Sequence, residues 1–153
     1  MKFAGIADPM IFCDTSAVAK LYVVEKESPA MRARLEGEDQ VCVSELVRTE
    51  LMGVFHRQLR EKVWGRDKFM TAMRQFTNDD IAGFWTWLPL DSAVIEAAAQ
   101  VYTTLPDSVF LRSADCLHLV TALRHNFADI YTYEFRQSEA AGVLGLQPVA
   151  VGL

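Results

Sequence analysis

Hydrophobic residues along the chain alternate between short continuous runs and longer stretches in which they recur every three or four positions. Short apolar runs are typical of buried strands, whereas the longer spacing indicates helices with one packed face. The short runs predict strands at 10–13, 40–43, 85–90, 129–132 and 147–151.

The segments between these runs have helical spacing and helix-capping residues at their ends. Asp91 and Ser92 are good N-caps, and Gly145 is a good helix stop. The predicted helices span 16–25, 29–35 (closed by Gly37), Ser44 to about 60, Gly65 to about 78, 92–104, 112–124 and 135–144. Strands that alternate with helices predict an α/β fold with a mainly parallel central sheet and helices on both faces.

Length and composition indicate one domain. The chain has 153 residues, of which 51% are hydrophobic, enough for a sizeable core. We therefore expect a single domain over 1–153, with residues 1–9 as an N-terminal leader within it. That leader is not a secretory signal, because its apolar stretch is short and Asp8-Pro9 interrupts it. No apolar run approaches the roughly 20 residues that a bilayer requires, so no membrane partner is expected.

The three cysteines are odd in number and far apart in the sequence. Cys13, Cys42 and Cys116 each lie within an apolar run. Zinc sites usually use closely spaced pairs such as C-x2-C. We therefore expect three reduced thiols in the core of a cytoplasmic protein.

The formal net charge of −5 argues against a general nucleic-acid coat protein, which would be basic. The one concentration of basic residues extends from Arg57 to Lys68. The favoured interpretation is a solvated helix-turn-helix surface. The alternative is a strip that holds phosphates beside an acidic pocket.

Two carboxylates directly follow predicted strands. Asp14 ends the first strand, and Glu134 lies just beyond the fourth. Taken alone, Asp14 is more often a helix cap and Glu134 a solvated loop acid. In folds of this class, however, ligands bind beyond the carboxyl ends of the strands, where the strand order reverses.

Two further carboxylates interrupt packed helix faces. Glu50 shares one helix face with Val47 and Val54, and a lone buried carboxylate is costly unless it is paired or bound to a metal. Asp115 lies near the start of an almost entirely apolar helix. There the helix dipole stabilises it in part, which leaves a structural role open.

If these four acids converge, they form a site for a hard cation. Two carboxylates about 5 Å apart repel by roughly 3 kcal/mol at an effective dielectric of about 20. Oxygen ligands without histidine or cysteine suit Mg²⁺ or Mn²⁺ better than zinc. Carboxylate-held Mg²⁺ is typical of enzymes that transfer or hydrolyse phosphoryl groups.

At four places the chain resembles PIN-domain nucleases, and among them the VapC-type toxins of toxin–antitoxin pairs. The segments are IFCDTSAVAKLY at 11–22, VSELVRTEL at 43–51, LRSADCLHLVTAL at 111–123 and IYTYEFRQSEAAGVLGL at 130–146. The resemblance implies an α/β/α sandwich around a parallel sheet and a Mg²⁺- or Mn²⁺-dependent endoribonuclease acting on RNA. It also implies an antitoxin protein bound over the site and, commonly, a homodimer.

By position, the metal-binding acids of this family match Asp14, Glu50 and Asp115. Glu134 stands where the family's Thr-x-Asp motif usually has Asp, with Thr132 in place. Glutamate is one methylene longer, so its carboxylate is expected to reach a second metal position differently. The expected consequence is weaker activity or a different ion preference.

Three residues near these acids have more than one interpretation. Ser16 either orients Asp14 or a phosphate, or caps the first helical turn. Arg112 either pairs with an acid of the cluster or holds a substrate phosphate, or it is a plain surface residue. His118 is best interpreted as a hydrogen-bonded core histidine and is assigned no general-base role.

The predicted function is hydrolysis of RNA phosphodiesters to 5′-phosphate and 3′-hydroxyl ends, with the four acids above as the catalytic and metal-binding residues. A phosphatase of the haloacid-dehalogenase type would need a second Asp at position 16, where this chain has Ser. A phosphoacceptor receiver domain would need an acidic pair and a late Lys. The remaining alternative is a catalytically weak, partner-binding protein.

Overall fold

The computed structural model describes residues 10–153, so the prediction for the leader at 1–9 lies outside the described residues. Five strands form one sheet in the order β3-β2-β1-β4-β5, and every neighbouring pair is parallel. The strands are β1 Ile11–Cys13, β2 Val41–Ser44, β3 Trp85–Leu88, β4 Asp129–Tyr131 and β5 Gln147–Val149.

Seven helices connect or follow these strands within the described part of the chain. They cover both faces of the sheet, as expected when parallel strands are joined by helical crossovers. The helices are α1 Thr15–Ala19, α2 Ser28–Leu35, α3 Val47–Arg60, α4 Arg66–Ile81, α5 Ser92–Thr104, α6 Ser113–Arg124 and α7 Phe135–Leu144.

The central strand β1 shows how the two layers of helices are separated. Successive strand side chains point to opposite faces of a sheet. Ile11 and Cys13 pack with buried residues of α1 to α4, whereas Phe12 packs with those of α5, α6 and α7. The predicted three-layer α/β/α sandwich with a parallel sheet is confirmed.

The strand order places a crevice at the carboxyl end of β1. This strand pairs with β2 on one side and with β4 on the other, so the order reverses between β1 and β4. At the ends of β1 and β4, the backbone N–H of Asp14 donates to the carbonyl of Tyr131 at 3.1 Å. Residues after β1 and after β4 therefore flank the place where this fold class binds ligands.

The first helix is much shorter than the predicted 16–25, because the chain folds back after Ala19. The ammonium of Lys20 pairs with the carboxylates of Glu25 and Glu27. The side chain of Ser28 donates to the carbonyl of Val23 and accepts from the N–H of Glu25. These side-chain contacts satisfy the turn that follows α1 and compete with a longer helix.

The start of α3 and the end of α4 also differ from prediction. Ser44 is the last residue of β2, and α3 begins three residues later at Val47. Helix α4 continues to Ile81 instead of ending near residue 78. Its last turn is fixed by side chains, since Tyr22 donates to Asp79 at 2.6 Å and Trp87 donates to Asp80 at 2.7 Å.

The remaining elements agree with prediction apart from one or two terminal residues. Helices α5 and α7 have the predicted bounds. The third strand is shorter than 85–90, because Pro89 has no N–H for the ladder. Strands β4 and β5 end at Tyr131 and Val149, before the predicted 132 and 151.

All three cysteines are free and buried, as predicted. Burial raises the pKa of the thiols of Cys13, Cys42 and Cys116. Because the thiolate is the form that attacks electrophiles and binds metals, these side chains behave as core residues.

Among residues 10–153, none of the helices has the length and apolar character that crossing a membrane requires.

Candidate functional site

An open cavity of about 470 Å³ lies beyond the carboxyl ends of β1 and β4. All four predicted acids line it, together with Ser16 and Arg112. The full lining consists of Asp14, Thr15, Ser16, Ala19, Lys20, Val23, Glu25, Glu50, Gly53, Val54, Arg57, Gln58, Arg112, Asp115, His118, Tyr133, Glu134 and Gln137. The structure therefore brings together acids that are up to 120 positions apart in the sequence, as between Asp14 and Glu134.

Asp14 is held from three directions at the start of α1. Its backbone is extended, and its Oδ1 accepts from the N–H of Ala17 at 2.9 Å, the bond of an N-cap. The hydroxyl of Ser16 donates to the same oxygen at 2.7 Å. The hydroxyl of Thr132 donates to Oδ2 at 2.6 Å. The side chain is thus both a helix cap and a fixed member of the cavity.

The charge of Asp14 is not balanced by its hydrogen bonds. The residue is only 2% exposed, and its three donors are neutral groups. Burial raises the pKa of Asp14 above its usual range, and the nearby imidazole of His118 together with the bonds from Thr132, Ser16 and Ala17 offsets only part of that rise. A cation in the cavity would stabilise the ionised carboxylate.

Thr132 and Ser16 connect the ends of β1 and β4. The Oγ1 of Thr132, which donates to Asp14, also accepts from the N–H of Glu134 at 3.1 Å. The Oγ of Ser16 accepts from the N–H of Tyr133 at 2.8 Å. Of the two interpretations of Ser16, the geometry supports orientation of Asp14. The two hydroxyls fix that carboxylate relative to the segment that carries Glu134.

Glu50 extends from α3 to the same cavity and is held by two donors. Its Oε1 accepts from the hydroxyl of Thr15 at 2.7 Å and lies 2.5 Å from Nε2 of His118. Burial acts to raise the pKa of Glu50. The hydrogen bond and electrostatic attraction of His118, the hydrogen bond of Thr15 and the charge of Arg112 outweigh it, so the pKa is lowered. Glu50 is therefore ionised at neutral pH.

Asp115 and Glu134 share one arginine. Nε of Arg112 lies 3.1 Å from Oδ2 of Asp115, and Nη2 lies 3.3 Å from Oε1 of Glu134. The Arg112 side chain is 54% exposed, so these ion pairs face solvent and contribute little to stability. The structure confirms the pairing of Arg112 with acids of the cluster. It also shows that these two acids, unlike Asp14 and Glu50, are held by an exposed cationic side chain.

The cavity has the donor chemistry of a hard-cation site but not a completed cage. No group of three or more acid, histidine or cysteine side chains at metal-ligand spacing is found among residues 10–153. The lining nevertheless contains five carboxylates against three basic side chains. An excess of carboxylate oxygen, including the buried Asp14, fits Mg²⁺ or Mn²⁺. Arg112 contacts one oxygen of Asp115 and one of Glu134, so it would compete with a cation for these two acids.

The sequence did not predict three features of the site, namely the roles of Thr15 and Gln137 and the contact of His118 with Glu50. The hydroxyl of Thr15 donates to Glu50, which is 35 positions away in the sequence. Gln137 is 1% exposed, and its Nε2 donates to the carbonyl of Asp115 at 3.4 Å. A polar side chain on the packed face of α7, beside Ala140 and Ala141, was the available signal.

The basic strip of α3 and α4 mostly lies outside the cavity. Arg57 is the member that lines it. Arg66 lies over the ring of Phe69 and Lys68 over the ring of Trp64, with 5.7 and 5.8 Å to the ring centroids. The favoured interpretation of a solvated surface therefore describes these two residues, and only Arg57 is placed to meet a ligand of the cavity.

Comparison with known proteins identifies relatives along most of the chain. The PIN domain family profile matches residues 11–143. Ribonuclease VapC46 of Mycobacterium tuberculosis is 32% identical over 142 residues, which is 92% of this chain and 96% of the relative. Ribonuclease VapC35 of the same species is 30% identical over 149 residues, covering 94% of this chain and 98% of the relative.

Solved structures with low sequence identity share the fold. FitAcB from Neisseria gonorrhoeae has a TM-score of 0.69 at 18% identity, covering 92% of this chain and 97% of that one. VapC20 of Mycobacterium tuberculosis, described as a sarcin-ricin loop cleaving toxin, has a TM-score of 0.66 at 17% identity, covering 85% and 94%. VapBC2 from Rickettsia felis, solved with a promoter DNA fragment, has a TM-score of 0.63 at 14% identity, covering 92% and 98%.

Proposed function

The chain belongs to the PIN domain family, and from that premise we propose that it is a divalent-metal-dependent endoribonuclease, the toxin of a type II toxin–antitoxin pair. The observation that carries the proposal is the convergence of Asp14, Glu50, Asp115 and Glu134 on one cavity. Two relatives named as ribonucleases match more than nine-tenths of the chain. An acidic cavity in such a chain is best explained as a phosphodiester-hydrolysing site.

In this proposal Asp14, Glu50 and Asp115 hold the principal Mg²⁺ or Mn²⁺, and Glu134 binds that ion or a second one. A divalent cation bound there supplies Lewis-acid polarisation of the phosphodiester and lowers the pKa of a water molecule. Ser16 and Thr132 keep the Asp14 carboxylate in place through the hydroxyl bonds at 2.7 and 2.6 Å. The products are a 5′-phosphate and a 3′-hydroxyl.

Arg112 has two successive roles in the proposed reaction. Without substrate it neutralises Asp115 and Glu134, as its two ion pairs indicate. A cation bound by those acids would compete with the guanidinium, and a released guanidinium would be available to bind an RNA phosphate. Arginine suits this role because its planar fork of N–H groups matches phosphate oxygens.

The proposal extends to partners and location. A cognate antitoxin protein would bind over the cavity and block RNA entry, and the toxin would act as a homodimer. Residues 1–153 would form one domain. Three buried free cysteines suit a reducing compartment, so the cytoplasm is the proposed location.

We expect purified protein to cleave RNA in the presence of Mg²⁺ or Mn²⁺ and not in EDTA. Glu50→Gln should lower the single-turnover rate by about 10²-fold, because it removes a ligand charge while leaving an oxygen for Thr15 and His118. The measurement is the cleavage rate of end-labelled RNA, with ligation of adaptors specific for 5′-phosphate to identify the new ends.

Glu45→Gln is the matched control for this experiment. Glu45 lies just before α3, pairs with Arg48 at 2.8 Å and does not line the cavity. The Glu45→Gln variant should cleave RNA at the wild-type rate. Equal cleavage by wild type and Glu50→Gln would refute the assignment, since a contaminating nuclease would then explain the activity.

We expect Glu134→Asp to raise the cleavage rate, by up to about tenfold or ~1.4 kcal/mol of activation free energy. The shorter side chain matches the residue usual in the family's motif and withdraws the carboxylate from Arg112, now 3.3 Å away. The measurement is the cleavage rate as a function of Mn²⁺ concentration, with substitution of the exposed Glu139 in α7, Glu139→Asp, as control. A slower variant would show that the length of Glu134 is matched to this site.

A second candidate function is partner binding without catalysis. The Arg112 bridge favours it, because an arginine already neutralises two of the four acids. Calorimetric titration with Mn²⁺ separates the two functions. Saturable binding together with RNA cleavage supports the nuclease, whereas no binding together with tight binding of an antitoxin supports the docking protein.

A further inference from the structure

His118 is a buried polar residue at the base of the cavity. It lies on α6, one turn after Asp115, among residues of the apolar core, and it is 1% exposed. Its Nε2 lies 2.5 Å from Oε1 of Glu50, which is 68 positions earlier on α3. The same nitrogen lies 3.3 Å from the hydroxyl of Thr15. The imidazole therefore connects helices that pack on opposite faces of the sheet.

The other ring nitrogen fixes which way the hydrogen bond runs. Nδ1 of His118 is buried and has no hydrogen-bond partner among residues 10–153. A proton on Nδ1 would be a buried donor without an acceptor, which is unfavourable. With the proton on Nε2, the ring donates to the carboxylate of Glu50 and leaves only a lone pair unmatched. The geometry thus favours His118 as the donor.

This arrangement ties down one oxygen of Glu50 and leaves the other available. Oε1 accepts from both His118 and Thr15. Oε2 has no donor in the part of the chain that the structure describes, although Glu50 lines the cavity. Without these donors the side chain would rotate away from the other acids, because like charges repel and glutamate has several rotamers.

We propose that His118 is a positioning residue that holds Oε1 of Glu50 so that Oε2 stays available to the divalent cation. The inference rests on the proposed function, and it adds to the four acids a residue that acts on the ion only through Glu50. Residues of this kind orient metal ligands through hydrogen bonds and commonly change metal affinity by about 10- to 100-fold.

The alternative is a purely structural role, in which His118 only fills space in the core. The two roles differ in what they require of a substitute. A packing role needs volume, whereas positioning needs an N–H at the reach of Nε2. Glutamine places its amide nitrogen the same number of bonds from the backbone as Nε2, and asparagine places it one bond shorter. His118→Gln and His118→Asn are therefore a matched pair of amides that differ in reach.

The test is calorimetric titration of RNA-free protein with Mn²⁺, using wild type, His118→Gln, His118→Asn and His118→Leu. We expect the Kd for Mn²⁺ to rise by about 10- to 100-fold in His118→Asn and His118→Leu. In His118→Gln most of the lost Mn²⁺ affinity should be recovered. Melting temperatures in EDTA report the packing contribution separately. If His118→Leu does not fold, the two amides alone decide the result.

Equal Kd values in wild type and His118→Asn would overturn the positioning role, and so would equal losses in the Gln and Asn variants. The exposed His125→Gln, at the end of α6, is the control that should leave the Kd unchanged. If the wild type cleaves RNA but the variants give either of these overturning results, only this inference is refuted. Wild-type protein that neither binds Mn²⁺ nor cleaves RNA would refute the proposed function as well.

Discussion

Asp14→Asn should lower the rate of RNA cleavage by about 10³-fold, or ~4 kcal/mol in activation free energy. The residue is the most buried of the four acids and the only one at the centre of the sheet, directly after β1. Asparagine keeps the size and an oxygen that can cap α1, but it removes the negative charge that a cation requires. The measurement is single-turnover cleavage at saturating Mg²⁺.

The same variant should be at least as stable as wild type when no metal is bound. Burial raises the pKa of Asp14 in the folded protein, so the ionised form opposes folding. As pH rises through that pKa, wild type loses stability that the neutral asparagine retains. In EDTA at neutral pH, the melting temperature of Asp14→Asn should equal or exceed that of wild type.

Asp91→Asn provides the matched control. Asp91 is the N-cap of α5, accepts from the N–H of Val94 at 3.0 Å and lies outside the cavity. Both substitutions change an N-cap aspartate in the same way, so a capping effect would appear in both. Asp91→Asn should cleave RNA normally. Strong cleavage by Asp14→Asn would contradict the role of Asp14 as a metal ligand.

The sequence was sufficient to predict the order and type of the elements but not all their ends. Periodicity and caps located α5 and α7, because Asp91 and Gly145 act locally. Helix α1 stops early because Lys20 reaches Glu25 and Glu27, and α4 runs longer because Asp79 and Asp80 find partners in other elements. Local patterns do not contain such contacts.

The candidate site, like the fold, could be predicted only in part. Acids in packed positions, such as Glu50, were recognisable because an unpaired buried charge is costly. What holds each acid was not recognisable, since the partners are remote in sequence: Thr132 is 118 positions from Asp14, and His118 is 68 positions from Glu50. Neutral hydroxyls and a core histidine have no periodic signature, so their roles follow only from the fold.

The contacts divide the four acids into two pairs. Asp14 and Glu50 are held by hydroxyl, amide and imidazole donors that are buried or partly buried. Asp115 and Glu134 are held by the exposed Arg112. The first pair is held by fixed donors, whereas a cation at the proposed site would compete with Arg112 for the second pair. Loss of an acid from the second pair should therefore change the balance between Arg112 and the ion, as well as the number of ligands.

Asp115→Asn should lower RNA cleavage by about 10²- to 10³-fold and weaken Mn²⁺ binding at least about tenfold. The variant loses a buried carboxylate, 7% exposed, and leaves Arg112 to pair with Glu134 alone. The stability loss should stay near 1 kcal/mol, because a first-turn acid and a half-exposed ion pair each contribute about that much or less. Cleavage rate, Mn²⁺ Kd and melting temperature are measured on the same preparation.

Asp67→Asn is the control that isolates the helix-dipole contribution. Asp67 occupies the first turn of α4, as Asp115 occupies the first turn of α6, but it is exposed and outside the cavity. The Asp67→Asn variant should lose a similar helix-dipole stabilisation and keep its full RNA-cleavage activity. If Asp115→Asn lost stability but kept both its cleavage rate and its Mn²⁺ affinity, Asp115 would be a helix-start residue only. The site would then depend on Asp14, Glu50 and Glu134.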